Sequence, residues 1–122
     1  YMESGYFSFK SGFEAAERLL ALPDRPTAIF ACNDEMAAAT CSVAHKAGLR
    51  IPDDLAVVGF DDAPISSAVW PALTTVRQPY LEMARRSIQI LDDAGDKVTA
   101  SDRQVRHIIP HELIVRETTI TS

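Results

Sequence analysis

Two apolar runs, residues 27–32 (TAIFAC) and 55–60 (LAVVGF), each end in a polar pair, Asn33-Asp34 and Asp61-Asp62. The stretch between them, residues 36–46, is alanine-rich. Asn33 is suited to cap its start, and Lys46 and Gly48 are suited to its C-terminal end. The pattern reads strand, helix, strand. Runs so uniformly apolar are expected to be buried on both faces, as parallel strands are. The crossover that joins parallel strands is right-handed. It brings their C-terminal ends to one edge, where open α/β sheets receive ligands. Both polar pairs are therefore predicted to converge on one binding edge.

The flanking segments fit around this unit. Ser11, with Glu14 three residues on, is expected to form a capping box for a helix carrying Phe13, Ala16, Leu19 and Leu20, ended by residues 23–26. Residues 63–72 are expected as a loop or short helix and 73–76 as a short extended segment. A helix is predicted from Pro79 to about Ala94, with Leu81, Ala84, Ile88 and Leu91 on one stripe and a Glu82–Arg86 pair on its wet face. Residues 96–102 are polar and expected to be mobile. Two short strands, 105–109 and 112–116, are predicted either side of Pro110.

Composition narrows the function classes. At 122 residues, 47% apolar and 24% charged, the chain has the make-up of one folded domain. Its net charge of -5 and lack of a basic stripe make it a poor reader of nucleic acid by itself. No apolar run is long enough to span a bilayer. Cys32 and Cys41 lie in apolar surroundings and are expected as buried thiols, which suits a reducing cytoplasm. Met2 is not the first residue, so a fragment of a longer protein is expected.

A catalytic reading finds little support. There is no Gly-x-Ser-x-Gly elbow, phosphate-binding loop or dinucleotide fingerprint. His45 stands near a helix end, and Pro110 breaks the helical spacing between His107 and His111. No metal set and no cofactor are expected. The residues suit binding better. Adjacent carboxylates on an extended segment point opposite ways, so of Asp61 and Asp62 one faces the edge and the other turns to structure. An ionised aspartate there can accept two hydroxyl hydrogen bonds from a polyol, or cap local backbone. Asn33 offers donor and acceptor to a hydroxyl, or caps the helix. Asp34 reads as structural, holding first-turn N–H groups. Phe7 can lay its ring on the apolar face of a sugar, or belong to the core. Tyr6 and Phe9 are expected to pack, and Ser8 and Ser11 to serve turns and caps. Arg77 can pair with an acid or stay solvated.

Four segments, residues 26–38, 48–62, 71–79 and 109–116, resemble in order and spacing the effector-binding region of the LacI/GalR family of bacterial transcription regulators. The resemblance runs from about Gly5 to Thr118. It implies an α/β fold, part of a two-lobed periplasmic-binding-protein-like type I sensor with parallel sheets flanked by helices. Residues 1–76 would form mostly the C-terminal lobe. Residues 77–122 would cross to the N-terminal lobe and return, with the upstream half and a helix-turn-helix headpiece outside this chain. It further implies effector contacts at Phe7, Asn33 and Asp61. A homodimer surface is implied on the first helix, the start of the Asn33 helix and the 67–70 loop, with Val69 and Trp70 as anchors. Trp70 packing within its own loop is the other reading. The effector would be a sugar, sugar phosphate or related derivative, with purine nucleobases as the other ligands of similar proteins; the lack of a visible basic phosphate cradle favours a neutral sugar. Operator DNA would be reached only through the headpiece. A sugar-binding component of a periplasmic transporter shares this architecture and is the competing expectation.

Overall fold

Strand order follows chain order in the computed structural model, which describes residues 1–94 and 107–119. The elements are α1 (Phe9–Leu20), β1 (Ala28–Phe30), α2 (Asp34–Lys46), β2 (Ala56–Asp61), α3 (Ile65–Ala68), β3 (Thr74–Arg77), α4 (Tyr80–Ala94) and β4 (Glu112–Ile114). The sheet is ordered β1-β2-β3-β4. Its first two pairings are parallel, and the last, β3 with β4, is antiparallel.

The predicted strand–helix–strand unit is present. Ala28, Ile29 and Phe30 stand beside Ala56, Val57 and Val58. The helix α2 buries Met36, Ala37, Cys41 and Ala44 with Leu55, Val57 and Leu73 in one core. Small residues let α1 lie close to α2: a Cβ at Gly12 would stand 2.6 Å from Met36 Cα. Two expectations about β1 do not hold. Phe30 is 59% exposed and Cys32 is also exposed. An apolar run reports that a face can be covered, not that a second layer is there to cover it. Cys41 is buried as expected, which pushes its thiol up to about 11, and both thiols are free.

The start of α1 also differs from expectation. Ser8, not Ser11, is the N-cap, and Ser11 closes the box as the third helical residue. Of the flanking aromatics, Phe9 meets Phe13 at 6.5 Å between ring centroids, while Tyr6 stays exposed. The C-terminal return is tied in deeply. Thr118 Oγ donates to Val57 O at 2.7 Å and accepts from Thr74 N at 2.9 Å.

The chain divides into two compact units, Tyr1–Arg77 with Glu112–Ser122, and Gln78–His111. In the second, Leu81, Ile88 and Leu91 of α4 are exposed. The Glu82–Arg86 pair does not form. Glu82 lies 4.0 Å from Arg85, one residue nearer, and Arg86 reaches Gln89 and His107 instead. Of the predicted 105–109 strand, residues 107–109 are not strand, and 105–106 lie outside the described residues, as do 96–102.

Candidate functional site

Three strand ends build the edge. Asp61 closes β2 and stands in register with Arg77, the last residue of β3. Asn33 follows β1 by three residues, and β1 pairs in parallel with β2, which Asp61 closes. Asn33 is the N-cap of α2 and is 9% exposed. Its Oδ1 accepts from Met36 N at 2.9 Å, and its Nδ2 donates to Phe7 O at 3.0 Å. Asn33 and Phe7 are thus brought into contact, with Asp61 on the neighbouring strand end. Phe7 is 68% exposed, so it is not a core residue.

The backbone at this edge is unusual. The non-glycine residues with positive φ among those described are Phe7 at 54°, Asp61 at 109° and Asp62 at 53°. Such conformations cost of order 1–3 kcal/mol each and persist only where the surroundings over-determine them.

Asp62 shows how this is done. Its carboxylate accepts from Ser66 Oγ at 3.1 Å, Arg77 Nε at 2.7 Å and Arg116 Nη2 at 2.7 Å. Partial burial works to raise its pKa, but the hydrogen bonds from Arg116, Arg77 and Ser66 outweigh it and hold the carboxyl below its ordinary value. Arg77 also reaches Glu112 at 3.1 Å. Asp62 is therefore the carboxylate turned to structure, and Asp61 ends the strand at the edge.

Asp34 is structural too, but not as a first-turn cap. It crosses the sheet, accepting from Thr75 Oγ1 on β3 at 2.6 Å and from Ala63 N at 2.7 Å. The crossing passes over β2 at Gly59, in register with Thr75. A Cβ there would collide with Asp34 Oδ1 and stand 2.9 Å from Leu73 Cδ2, so any larger residue must displace the carboxylate from its crossing. Burial raises the pKa of Asp34.

Thr75, Ser66 and Arg116 escaped the sequence reading. Threonines inside an otherwise apolar strand were the one available signal, since a buried hydroxyl needs a partner.

Trp70 lies elsewhere. It is 77% exposed and stacks on His45 at 5.5 Å, in the last turn of α2. At 1.5 Å rise per residue, that is about 18 Å along the helix from Asn33. Val69 is half-buried against the core. A cavity of about 170 Å³ opens between α1, β1 and α2. Phe7 and Cys32 are among its lining, while Asn33 and Asp61 are not, so it meets the edge at Phe7. No group of His, Cys, Asp and Glu suited to a metal ion occurs among the described residues.

An exposed aromatic ring, an amide and a strand-end carboxylate together offer a flat apolar face with hydroxyl acceptors and a donor, the chemistry of a polyol site. The periplasmic binding protein-like domain matches residues 2–119. The chain belongs to this family. Within it, the domain is homologous to the C-terminal effector-binding part of LacI/GalR regulators. It is 37% identical over 121 residues to the HTH-type transcriptional repressor CytR of Escherichia coli, covering 98% of this chain and 34% of that protein. It is similar to the lac repressor dimer bound to operator and the anti-inducer ONPF, with TM-score 0.84 and 31% identity over 96% of this chain and 40% of that one. It also resembles the regulator CelR in complex with cellobiose, with TM-score 0.82 and 36% identity over 93% of this chain and 34% of that one. The domain spans about a quarter to a third of the length of the curated relatives it matches. No helix among the described residues is long and apolar enough to cross a membrane.

Proposed function

We propose that this domain is the effector-sensing and dimerising part of a bacterial transcription regulator, and that its effector is a sugar or closely related polyol. The observation that carries the reading is the edge itself: Phe7, whose carbonyl accepts from the capping amide of Asn33, and Asp61, which closes the parallel neighbour of β1, both have positive-φ backbone. Strain of this kind collects at ligand sites. In this reading the ring of Phe7 lies against the sugar's apolar face, Asp61 accepts from hydroxyls and Asn33 donates to one. The unit formed by residues 1–77 and 112–122 belongs to the C-terminal lobe. Residues 78–111 belong to the other lobe, whose remaining parts cover the apolar stripe of α4.

Val69 and Trp70 contribute to a homodimer surface, and operator DNA is contacted by a headpiece outside this chain, in the cytoplasm. Effector binding acts by favouring one of two lobe arrangements over the other.

The test is calorimetric titration of the intact regulator with neutral mono- and disaccharides, cellobiose among them, alongside Asp61→Ala. A sugar that binds the parent and is lost in the variant supports the reading. Equal binding by both, or no sugar bound by either, removes it.

A further inference from the structure

Asn33 does more at this edge than end a helix. We propose that it is the positioning residue for Phe7: its Nδ2 fixes the Phe7 backbone and so sets where the aromatic ring stands. What the ring then receives rests on the function proposed above; the brace itself does not.

An asparagine side chain has two N–H donors and two lone pairs on oxygen. One lone pair is spent on Met36 N and one N–H on Phe7 O. Serine, threonine or aspartate would satisfy the first need as well. Only a planar amide reaches inward with an acceptor to the third residue of the helix and outward with a donor to a carbonyl on another segment.

The receiving segment is held from two helices. Ser11 Oγ of α1 accepts from Tyr6 N at 2.9 Å and from Ser8 N at 3.3 Å. Asn33 of α2 takes the carbonyl between them. The ring of Phe7 is mostly exposed, so its burial cannot offset the left-handed φ. The polar bonds at 6, 7 and 8 must do so. One N–H and one lone pair of Asn33 remain for a ligand hydroxyl, which places brace and ligand contact on the same amide.

The experiment uses the intact regulator with 4-trifluoromethylphenylalanine at position 7, read by fluorine NMR, and hydrogen exchange of the peptide covering residues 5–9. In the parent, the fluorine line is expected to be single and exchange at Tyr6 and Ser8 slow. Asn33→Asp keeps the acceptor for Met36 N and removes the donor to Phe7 O; Asn33→Ser keeps the acceptor with no added charge and replaces the amide donor by a hydroxyl on a side chain one bond shorter. Both are expected to melt cooperatively, to exchange the 5–9 amides about fivefold faster, as loss of one hydrogen bond implies, and to shift or broaden the fluorine line.

Unchanged exchange and an unchanged line in a folded variant overturn the proposal. So do a split fluorine line and fast 5–9 exchange in the parent, a result that stands even where a variant fails to fold. A released Phe7 in the variants, with no saccharide bound by the parent, keeps the brace and removes the sugar function.

Discussion

Asp34 and Asp62 each stand second in the polar pair that ends a parallel strand, and each reaches toward β3, yet they do it by different physics. Asp34 is 1% exposed and is held by neutral donors, the hydroxyl of Thr75 and the N–H of Ala63. Asp62 keeps some contact with solvent and is held by two guanidinium groups and a hydroxyl. Desolvation therefore governs the first, and its pKa is raised. Opposite charge governs the second, and its pKa is lowered. A buried carboxylate bonded only to dipoles keeps its fold through geometry; one bonded to cations keeps it through charge. Sequence position alone does not separate them.

Four experiments bear on this contrast. The largest effect is expected from Asp34→Ala, which leaves one buried and one part-buried donor without an acceptor and should cost about 3 kcal/mol in denaturant unfolding. Gly59→Ala attacks the same tie from the other side by placing a methyl where the carboxylate crosses, and should cost about 2 kcal/mol. If Gly59→Ala is neutral, the crossing at Gly59 is not the reason for the glycine. Arg116→Met removes bonds to Asp62, Ser66 and Leu73 O. A loss of about 2 kcal/mol is expected, with a smaller one for the more exposed Arg77→Met. Equal losses would mean that Asp62 does not distinguish its two partners.

The smallest effect is the most diagnostic. Asp62 has its folded pKa below the unfolded value, so it stabilises the fold above the ordinary carboxylate range. That stability is lost as pH falls through the folded value. Asp34 has the opposite sign: its charge opposes folding at neutral pH, and the cost is relieved as pH falls through its raised value. Melting temperatures from neutral pH to about pH 2 should fall less steeply with acid in Asp62→Asn than in the parent, and more steeply in Asp34→Asn. Parallel curves would erase the contrast.

The central β1–α2–β2 unit was legible because its signals are local: apolar runs, alanine between them, and Asn33 and Gly48 as punctuation. The edge was legible for the same reason, as strand ends follow from strands. Local signals misled where two were available. Ser11 with Glu14 looked like a capping box, but Ser8 stands one helical turn earlier and takes that role with Ser11. What the residues could not disclose were ties across long stretches of chain. Thr75 to Asp34 and Arg116 to Asp62 join positions with no shared periodicity. Thr118, beyond the last predicted strand, is fully buried. Spacing alone did not divide Asp61 from Asp62; the family resemblance chose Asp61 for the effector, and the partners of Asp62 show its structural bonds.

Arg77 and Glu112 face one another as antiparallel neighbours, the last residue of β3 against the first of β4. In topological terms those strands are the two arms of a hairpin whose turn has been exchanged for everything from Gln78 to His111. A tight two-residue turn would close the same register. The chain therefore leaves the sheet and re-enters it at one point, and the register that carries Asp61 is closed on either side of that point by β3 and β4 themselves.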